Sequence, residues 1–136
     1  MPEVRSGAGL VDTSVLVSPA DSAFLPTEIA VSALTAAELA AGPHATDSPA
    51  ERGRRQERLQ IVEAMHEPLP FDAECARAYG RIYAAIVATG RKARGRRAVD
   101  LLIAATAVAH QLPLYTRNAG DLAGLEPVLE IVDCSP

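Results

Sequence analysis

Four carboxylates stand inside or directly after apolar segments, where an acidic side chain is costly unless it has a partner. Asp12 and Asp121 each come just after a predicted strand. Glu38 lies in a small-residue helix, and Asp100 begins the most apolar helix of the chain. Because the carboxyl ends of parallel strands share one edge of a sheet, we expect all four to meet there. Clustered carboxylates need a compensating cation, and oxygen ligands of this kind select magnesium or manganese.

Each carboxylate also has an ordinary explanation. Asp12 could simply cap a helix, and Asp100 could be an acid favoured by the helix dipole. Asp121 could be a turn residue, and Glu38 an exposed helix position. Any one of these patterns is too short to exclude such an explanation. The order and placement of all four together favour the metal site.

Histidine and cysteine offer no competing metal chemistry. His44, His66 and His110 are too widely spaced for a metal-binding helix of the HExxH type. Cys75 and Cys134 form neither a CxxC pair nor a zinc spacing, and they favour a reducing cytoplasm over a disulfide scaffold. Metal or acid–base chemistry therefore has to come from the carboxylates.

The elements that must position these carboxylates alternate along the chain. The predicted strands are Gly9–Val11, Glu28–Ala33, Leu69–Phe71, Pro113–Thr116 and Val128–Val132. The predicted helices are Leu34–Ala41, one capped by Ser48, one that runs from Asp72 to near Gly90, Ala98–Gln111 and a short one after Asn118. This alternation predicts a three-layer α/β/α fold with a mostly parallel central sheet of about five strands. No repeat or linker divides residues 1–136, so we expect one domain.

Composition excludes several broad classes of protein. Of the 136 residues, 49% are hydrophobic and 22% charged, as in an ordinary globular domain. No apolar run reaches the roughly 18 residues of a membrane span, and no secretory signal begins the sequence. We therefore expect a cytoplasmic protein without a membrane partner.

The net charge of −4 argues against a surface that is basic throughout. Without the four proposed ligands, however, 13 of the 17 acids remain against 13 basic residues, which leaves room for a local basic patch. One dense basic run directly precedes the helix of Asp100 and consists of Arg91, Lys92, Arg94, Arg96 and Arg97. This run predicts contact with a phosphate backbone. Alternatively, it is a solvated loop or a surface that pairs with an acidic partner.

Four segments, in this order and on these elements, resemble the PIN-domain ribonucleases, and specifically the VapC toxins of bacterial toxin–antitoxin modules. They are Leu10–Ser14, Thr35–Leu39, Val99–Ala107 and Leu114–Asp121. Each segment alone is a weak signal, but together they span essentially the whole chain. One departure is Leu122, since the family often has an aromatic residue after the last acid.

The resemblance implies a PIN-like fold and a magnesium-dependent endoribonuclease in which manganese can substitute. It implies hydrolysis of RNA phosphodiester bonds by metal-activated water, leaving a 5′-phosphate and a 3′-hydroxyl. The implied catalytic and metal-binding acids are Asp12, Glu38, Asp100 and Asp121, and the implied supporting residues are Thr13, Thr116 and Asn118. The implied partners are an RNA substrate, a second copy of the chain in a homodimer, and a VapB-like antitoxin whose C-terminal segment blocks the acidic cleft.

Three other functions fit parts of the sequence. A phosphoaspartyl enzyme would also place an aspartate after its first strand, but Ser14 stands where the haloacid-dehalogenase pattern needs a second Asp. The sole lysine, Lys92, precedes a helix, whereas such enzymes use a lysine after a late strand. A catalytically silent PIN-like module that binds RNA or protein remains open, because the presence of all four acids does not prove that a metal is bound. A nuclease that acts on DNA also remains open, because no residue here reads a 2′-hydroxyl.

Overall fold

The computed structural model describes residues 7–18, 24–90 and 96–135, within which strands and helices alternate. The strands are β1 (Ala8–Val11), β2 (Glu28–Val31), β3 (Leu114–Thr116) and β4 (Ile131–Asp133). The helices are α1 (Thr13–Val17), α2 (Ala33–Ala41), α3 (Pro49–Met65), α4 (Ala73–Ala88) and α5 (Arg96–Ala109). Two short 3₁₀ turns are Gly42–Ala45 and Ala119–Leu122. The predicted alternation is confirmed, and no helix in the described ranges is long and apolar enough to cross a membrane.

The four strands form one parallel sheet in the order β2-β1-β3-β4. β1 therefore lies between β2 and β3, and Val11 is in register with both Val31 and Tyr115. Because all four strands run in the same direction, their carboxyl ends lie at one edge. The residues that follow β1 and β3 are brought together at this edge.

The predicted strand Leu69–Phe71 is reduced to a single parallel bridge between Ser32 and Leu69. The amide of Leu69 donates to the carbonyl oxygen of Val31 at 2.8 Å. The Ala33 amide in turn donates to the Leu69 carbonyl oxygen at 2.8 Å, but Ala33 already begins α2, so no extended backbone follows with which the ladder could continue. The described part of the chain thus has a sheet of four strands where about five were expected.

Helices cover both faces of the sheet, because successive strand residues point to opposite sides. Leu10 and Leu114 pack with buried residues of α4 and α5 in one cluster. Val11 and Tyr115 pack with buried residues of α1, α2 and α3 in a second cluster. The two clusters form the interfaces of an α/β/α sandwich, which confirms the predicted three-layer fold.

Side-chain caps begin four of the helices. Asp12, Ser32, Ser48 and Asp72 precede α1, α2, α3 and α4, and each accepts a hydrogen bond from a first-turn amide. The caps predicted at Ser48 and Asp72 are therefore confirmed. The hydrogen bond from the Cys75 amide lowers the pKa of the Asp72 carboxyl group. These caps fix where each helix leaves the sheet edge.

The backbone of Gly9 in β1 packs closely against the ring of Tyr115. A Cβ atom at this position would lie 2.4 Å from Cε1 of Tyr115 and 3.1 Å from Cβ of Pro26. Tyr115 is only 1% exposed, so its ring has no open space to move into. Only glycine fits at this point of the strand without displacing the core.

We expect Gly9→Ala to lower the free energy of unfolding by about 1–3 kcal/mol, since the extra methyl group overpacks the core. Urea denaturation of the purified protein measures this change. Gly53→Ala is the matched control, because a Cβ at Gly53 meets nothing within 4 Å and alanine favours the α3 helix. Equal stability of the Gly9→Ala variant and the unchanged protein would contradict the prediction.

Candidate active site

A small recess opens at the carboxyl edge of the sheet, beside the ends of β1 and β3. Its volume is about 10 Å³, which is enough for about one water molecule or a single cation. Its polar lining consists of Asp12, Asp100, Thr116, Asn118 and Asp121, and its apolar lining of Ile103, Leu114 and Leu122. Three of the four predicted acids and two of the predicted supporting residues thus lie around one point.

Asp12 is both a helix cap and part of the recess. Its Oδ1 atom accepts hydrogen bonds from the Ser14 hydroxyl at 2.5 Å and from the Val15 amide at 3.4 Å. Its own amide donates to the carbonyl oxygen of Tyr115 at 3.0 Å, which joins the end of β1 to β3. The capping explanation and the site prediction for Asp12 are therefore compatible.

Asp100 reaches the recess from α5. It lies one turn before Ile103, which also lines the recess, so both residues share one face of the helix. Asp100 is half-buried, and the adjacent Leu101 is completely buried in the core. The packing of α5 against the sheet therefore sets the position of this carboxylate.

The loop after β3 carries Asn118 and Asp121, and its backbone is held by hydrogen bonds. The buried Thr116 hydroxyl accepts from the Asn118 amide at 3.0 Å, and the Asn118 carbonyl accepts from the Asp121 amide at 3.0 Å. The Arg117 amide donates to the Ser14 hydroxyl at 3.0 Å. Thr116 thus supports the loop through its side chain.

Glu38 is placed differently from the other three acids. It is not among the described residues that line the recess. Its Oε1 atom accepts a hydrogen bond of 2.5 Å from the hydroxyl of Thr13, the residue that follows Asp12. The Thr13 hydroxyl also lies 3.1 Å from the buried hydroxyl of Thr35. Glu38 is therefore linked to the recess through Thr13.

The donor atoms around the recess suit a hard divalent cation. They are carboxylate, hydroxyl and amide oxygens, which Mg²⁺ and Mn²⁺ prefer in proteins. Within the described ranges, no three His, Cys, Asp or Glu side chains are already grouped closely enough to hold a metal ion. Carboxylates repel one another, so closer convergence on one point requires the charge of a cation.

The two cysteines do not offer an alternative nucleophile. Cys75 and Cys134 are both buried and unpaired. Burial raises the pKa of each thiol, which disfavours the reactive thiolate form. Neither thiol is therefore a candidate nucleophile, and the prediction that carboxylates carry the chemistry stays a prediction.

The predicted phosphate-binding run is only partly covered by the structure. Arg91, Lys92 and Arg94 lie outside the described residues. Arg96 and Arg97 begin α5, and their side chains also fall outside the described part. Contact between this run and a phosphate backbone stays a prediction.

Ser14 is a polar residue of this region that sequence reasoning missed. Its hydroxyl contacts both Asp12 and the backbone of Arg117, which is 103 positions away along the chain. The only signal in the sequence is a serine two residues after a candidate ligand. Its distant contact depends on how β1 and β3 pair.

Comparisons with known proteins agree with this fold. A family model for the PIN domain matches residues 9–123. Ribonuclease VapC5 of Mycobacterium tuberculosis is 35% identical over 124 residues, which cover 88% of this chain and 88% of that protein. The crystal structure of VapBC-5 from the same species matches with a TM-score of 0.82 and 36% identity. VapBC-5 is a member of the VapBC family of toxin–antitoxin systems, and the match covers 93% of this chain and 98% of that one. FitAcB from Neisseria gonorrhoeae matches with a TM-score of 0.70 and 26% identity over 93% of this chain and 97% of its own. The chain therefore belongs to the PIN-domain family, in its VapC branch.

Proposed function

We propose that the chain is a metal-dependent endoribonuclease and the toxin component of a type II toxin–antitoxin module. The observation that carries this proposal is the recess at the sheet edge, which Asp12, Asp100 and Asp121 all line. The name of a relative, Ribonuclease VapC5, supports RNA as the substrate class. Family membership and the acidic recess point to the same phosphodiester chemistry.

In this proposal Asp12, Asp100 and Asp121 hold Mg²⁺, and Mn²⁺ can replace it. A cation in this position supplies a water nucleophile at neutral pH and offsets the charge that develops on the phosphoryl group. Asn118 and Asp121 are exposed, whereas Asp12 and Asp100 are half-buried. The scissile phosphodiester therefore approaches from the side of the Asn118 loop, because a recess of about 10 Å³ cannot enclose a nucleotide.

The other polar residues position the three acids. The Thr116 hydroxyl holds the loop by accepting a hydrogen bond from the Asn118 amide. The hydroxyl of Thr13, the residue that follows Asp12, donates to Glu38. In this proposal Glu38 does not line the recess and acts on it through the hydroxyl group of Thr13. Its negative charge strengthens the attraction of the whole site for a cation.

A VapB-like antitoxin and a second copy of the chain complete the proposal. One relative, VapBC-5, is a member of the VapBC family of toxin–antitoxin systems, which supports such a partner. The described surface includes a groove of about 480 Å³ between α1 and α3, lined by the apolar Leu16, Ile61, Val62 and Met65 and by the ionisable Arg54, Glu57, Arg58 and His66. Met65 is 71% exposed there, as expected of a surface that an apolar partner segment covers.

The first experiment is cleavage of a total-RNA pool by the purified protein. We expect discrete fragments in the presence of Mg²⁺ or Mn²⁺ and no cleavage in EDTA, with activity restored by excess Mg²⁺, since the acids cannot act without the cation. Denaturing gel electrophoresis resolves the fragments, and a VapB-like partner added to the reaction should stop cleavage. Single-stranded DNA of matched sequence tests the preference for RNA.

Two results would contradict the proposal. Cleavage that continues in EDTA would exclude a metal-dependent mechanism. A folded protein that neither cleaves the pool nor binds Mn²⁺ would favour the second candidate function, a catalytically silent module that binds RNA or protein. The exposed groove between α1 and α3 would also serve such a module, since a binding surface needs no catalytic acids.

A further inference from the structure

The hydroxyl group of Ser14 joins the two sides of the acidic recess. Ser14 lies in the first turn of α1, two residues after Asp12. Its Oγ atom lies 2.5 Å from Oδ1 of Asp12 and 3.0 Å from the amide nitrogen of Arg117. One side chain thus contacts a carboxylate at the end of β1 and the backbone of the loop after β3.

The direction of both hydrogen bonds follows from the chemistry of the groups. A backbone N–H can only donate, so the Ser14 oxygen accepts from Arg117. A serine hydroxyl carries one proton, and the carboxylate of Asp12 is the acceptor that lies within reach of it. Hydrogen bonds to an ionised acceptor are shorter and stronger than neutral ones. The Arg117 amide therefore helps to direct the Ser14 proton toward Asp12.

These contacts restrict both the carboxylate and the loop. Oδ1 of Asp12 accepts from Ser14 and from Val15, and Oδ2 takes part in neither hydrogen bond. The Arg117 amide lies next to the Asn118 amide, which the Thr116 hydroxyl holds. Ser14 and Thr116 together fix two successive amides at the start of the loop that carries Asp121.

We propose that Ser14 is a positioning residue for the metal site. It turns the Asp12 carboxylate so that Oδ2 faces the recess, and it holds the loop of Asn118 and Asp121 at a fixed distance from Asp12. This inference rests on the proposed function, since it assigns Ser14 a role toward the same cation. Ser14 acts through Asp12 and the loop and does not touch the reacting atoms.

The test measures Mn²⁺ binding to the metal-free protein by isothermal titration calorimetry. We expect Ser14→Ala to raise the Kd for Mn²⁺ about 10- to 100-fold, the range observed when a residue that orients a metal ligand is removed. Ser14→Thr keeps the hydroxyl group and should restore most of the affinity. Ser18→Ala, at the other end of α1, removes an exposed hydroxyl and should leave the Kd unchanged.

The thermal midpoint of each metal-free variant separates positioning from folding. A purely structural role predicts that Ser14→Ala lowers Tm while the Kd stays the same, and this result would overturn the inference. If Ser14→Ala does not fold, Ser14→Cys serves in its place, because a thiol is only a weak donor and acceptor and should also raise the Kd. Unchanged Mn²⁺ affinity of Ser14→Cys would overturn the inference equally.

The failure of this inference is distinct from the failure of the proposed function. If the unchanged protein binds no Mn²⁺, the metal site itself is wrong and the role of Ser14 falls with it. If the unchanged protein binds Mn²⁺ and the Ser14 variants bind it equally well, the metal site stands and only the role of Ser14 is wrong.

Discussion

RNA cleavage should fall about 1,000-fold or more when either Asp12 or Asp100 is replaced by asparagine, while the fold is retained. A metal ion contributes several kcal/mol to the stabilisation of a phosphoryl transition state, and each 1.36 kcal/mol is worth a factor of ten in rate. Both residues line a recess with room for about one cation, so each substitution removes one negative charge from the proposed metal site. The measurement is kcat/KM on a defined RNA fragment at saturating Mg²⁺.

Asparagine is the informative replacement because Asp12 has two roles. Its Oδ1 atom caps α1 by accepting from the Val15 amide, and an asparagine side chain can make the same hydrogen bond. Alanine would lose this cap at a cost of about 1 kcal/mol, which would mix a stability effect with the catalytic one. With asparagine, the loss of activity reports the loss of charge.

Asp133→Asn is the matched control. Asp133 ends β4 at the same edge of the sheet, in register with Thr116, but its carboxylate accepts hydrogen bonds from Ser135. These hydrogen bonds lower the pKa of Asp133 without any contribution from the recess. The control should cleave RNA like the unchanged protein. If the Asp12 or Asp100 variant cleaves equally well, the recess is not the active site.

The placement of Asp12 and Asp121 at one edge of the sheet could be predicted from the sequence, because it follows from the shared direction of the strands. Both residues follow parallel strands, and β1 pairs directly with β3. The apolar residues around Asp100 likewise predict a helix packed on the sheet, which brings this acid to the same edge. General rules for parallel sheets were sufficient for these three positions.

The position of Glu38 could not be predicted in the same way. The direction of its side chain depends on how α2 is rotated about its own axis, and the spacing of apolar residues sets this only coarsely. The contact between Ser14 and Arg117 is likewise absent from any local pattern, because it spans 103 positions. The segment Leu69–Phe71 has the composition of a strand, but the chain it pairs with enters α2 at Ala33, which limits the pairing to one bridge.

Replacement of Glu38 by glutamine should lower kcat/KM for RNA about 100-fold, less than the loss expected for Asp12. The smaller effect follows from its placement, because residues that act on a metal site through a neighbour typically contribute 10- to 100-fold. Glutamine keeps an oxygen that can accept from the Thr13 hydroxyl, so the variant removes charge and retains the hydrogen bond. Glu28→Gln, at the opposite edge of the sheet, is the control and should have full activity.

A double-mutant cycle with Thr13→Val tests whether Glu38 acts through this hydroxyl. If it does, Glu38→Gln should have a smaller effect in the Thr13→Val background than alone, with a coupling of about 0.5–3 kcal/mol. Additive effects would mean that Glu38 acts on the cation or the RNA independently of Thr13, either through its charge or as a direct ligand. A loss for Glu38→Gln as large as that for Asp12→Asn would lead to the same conclusion. The cycle therefore decides whether Glu38 acts on the other three acids through Thr13 or independently of it.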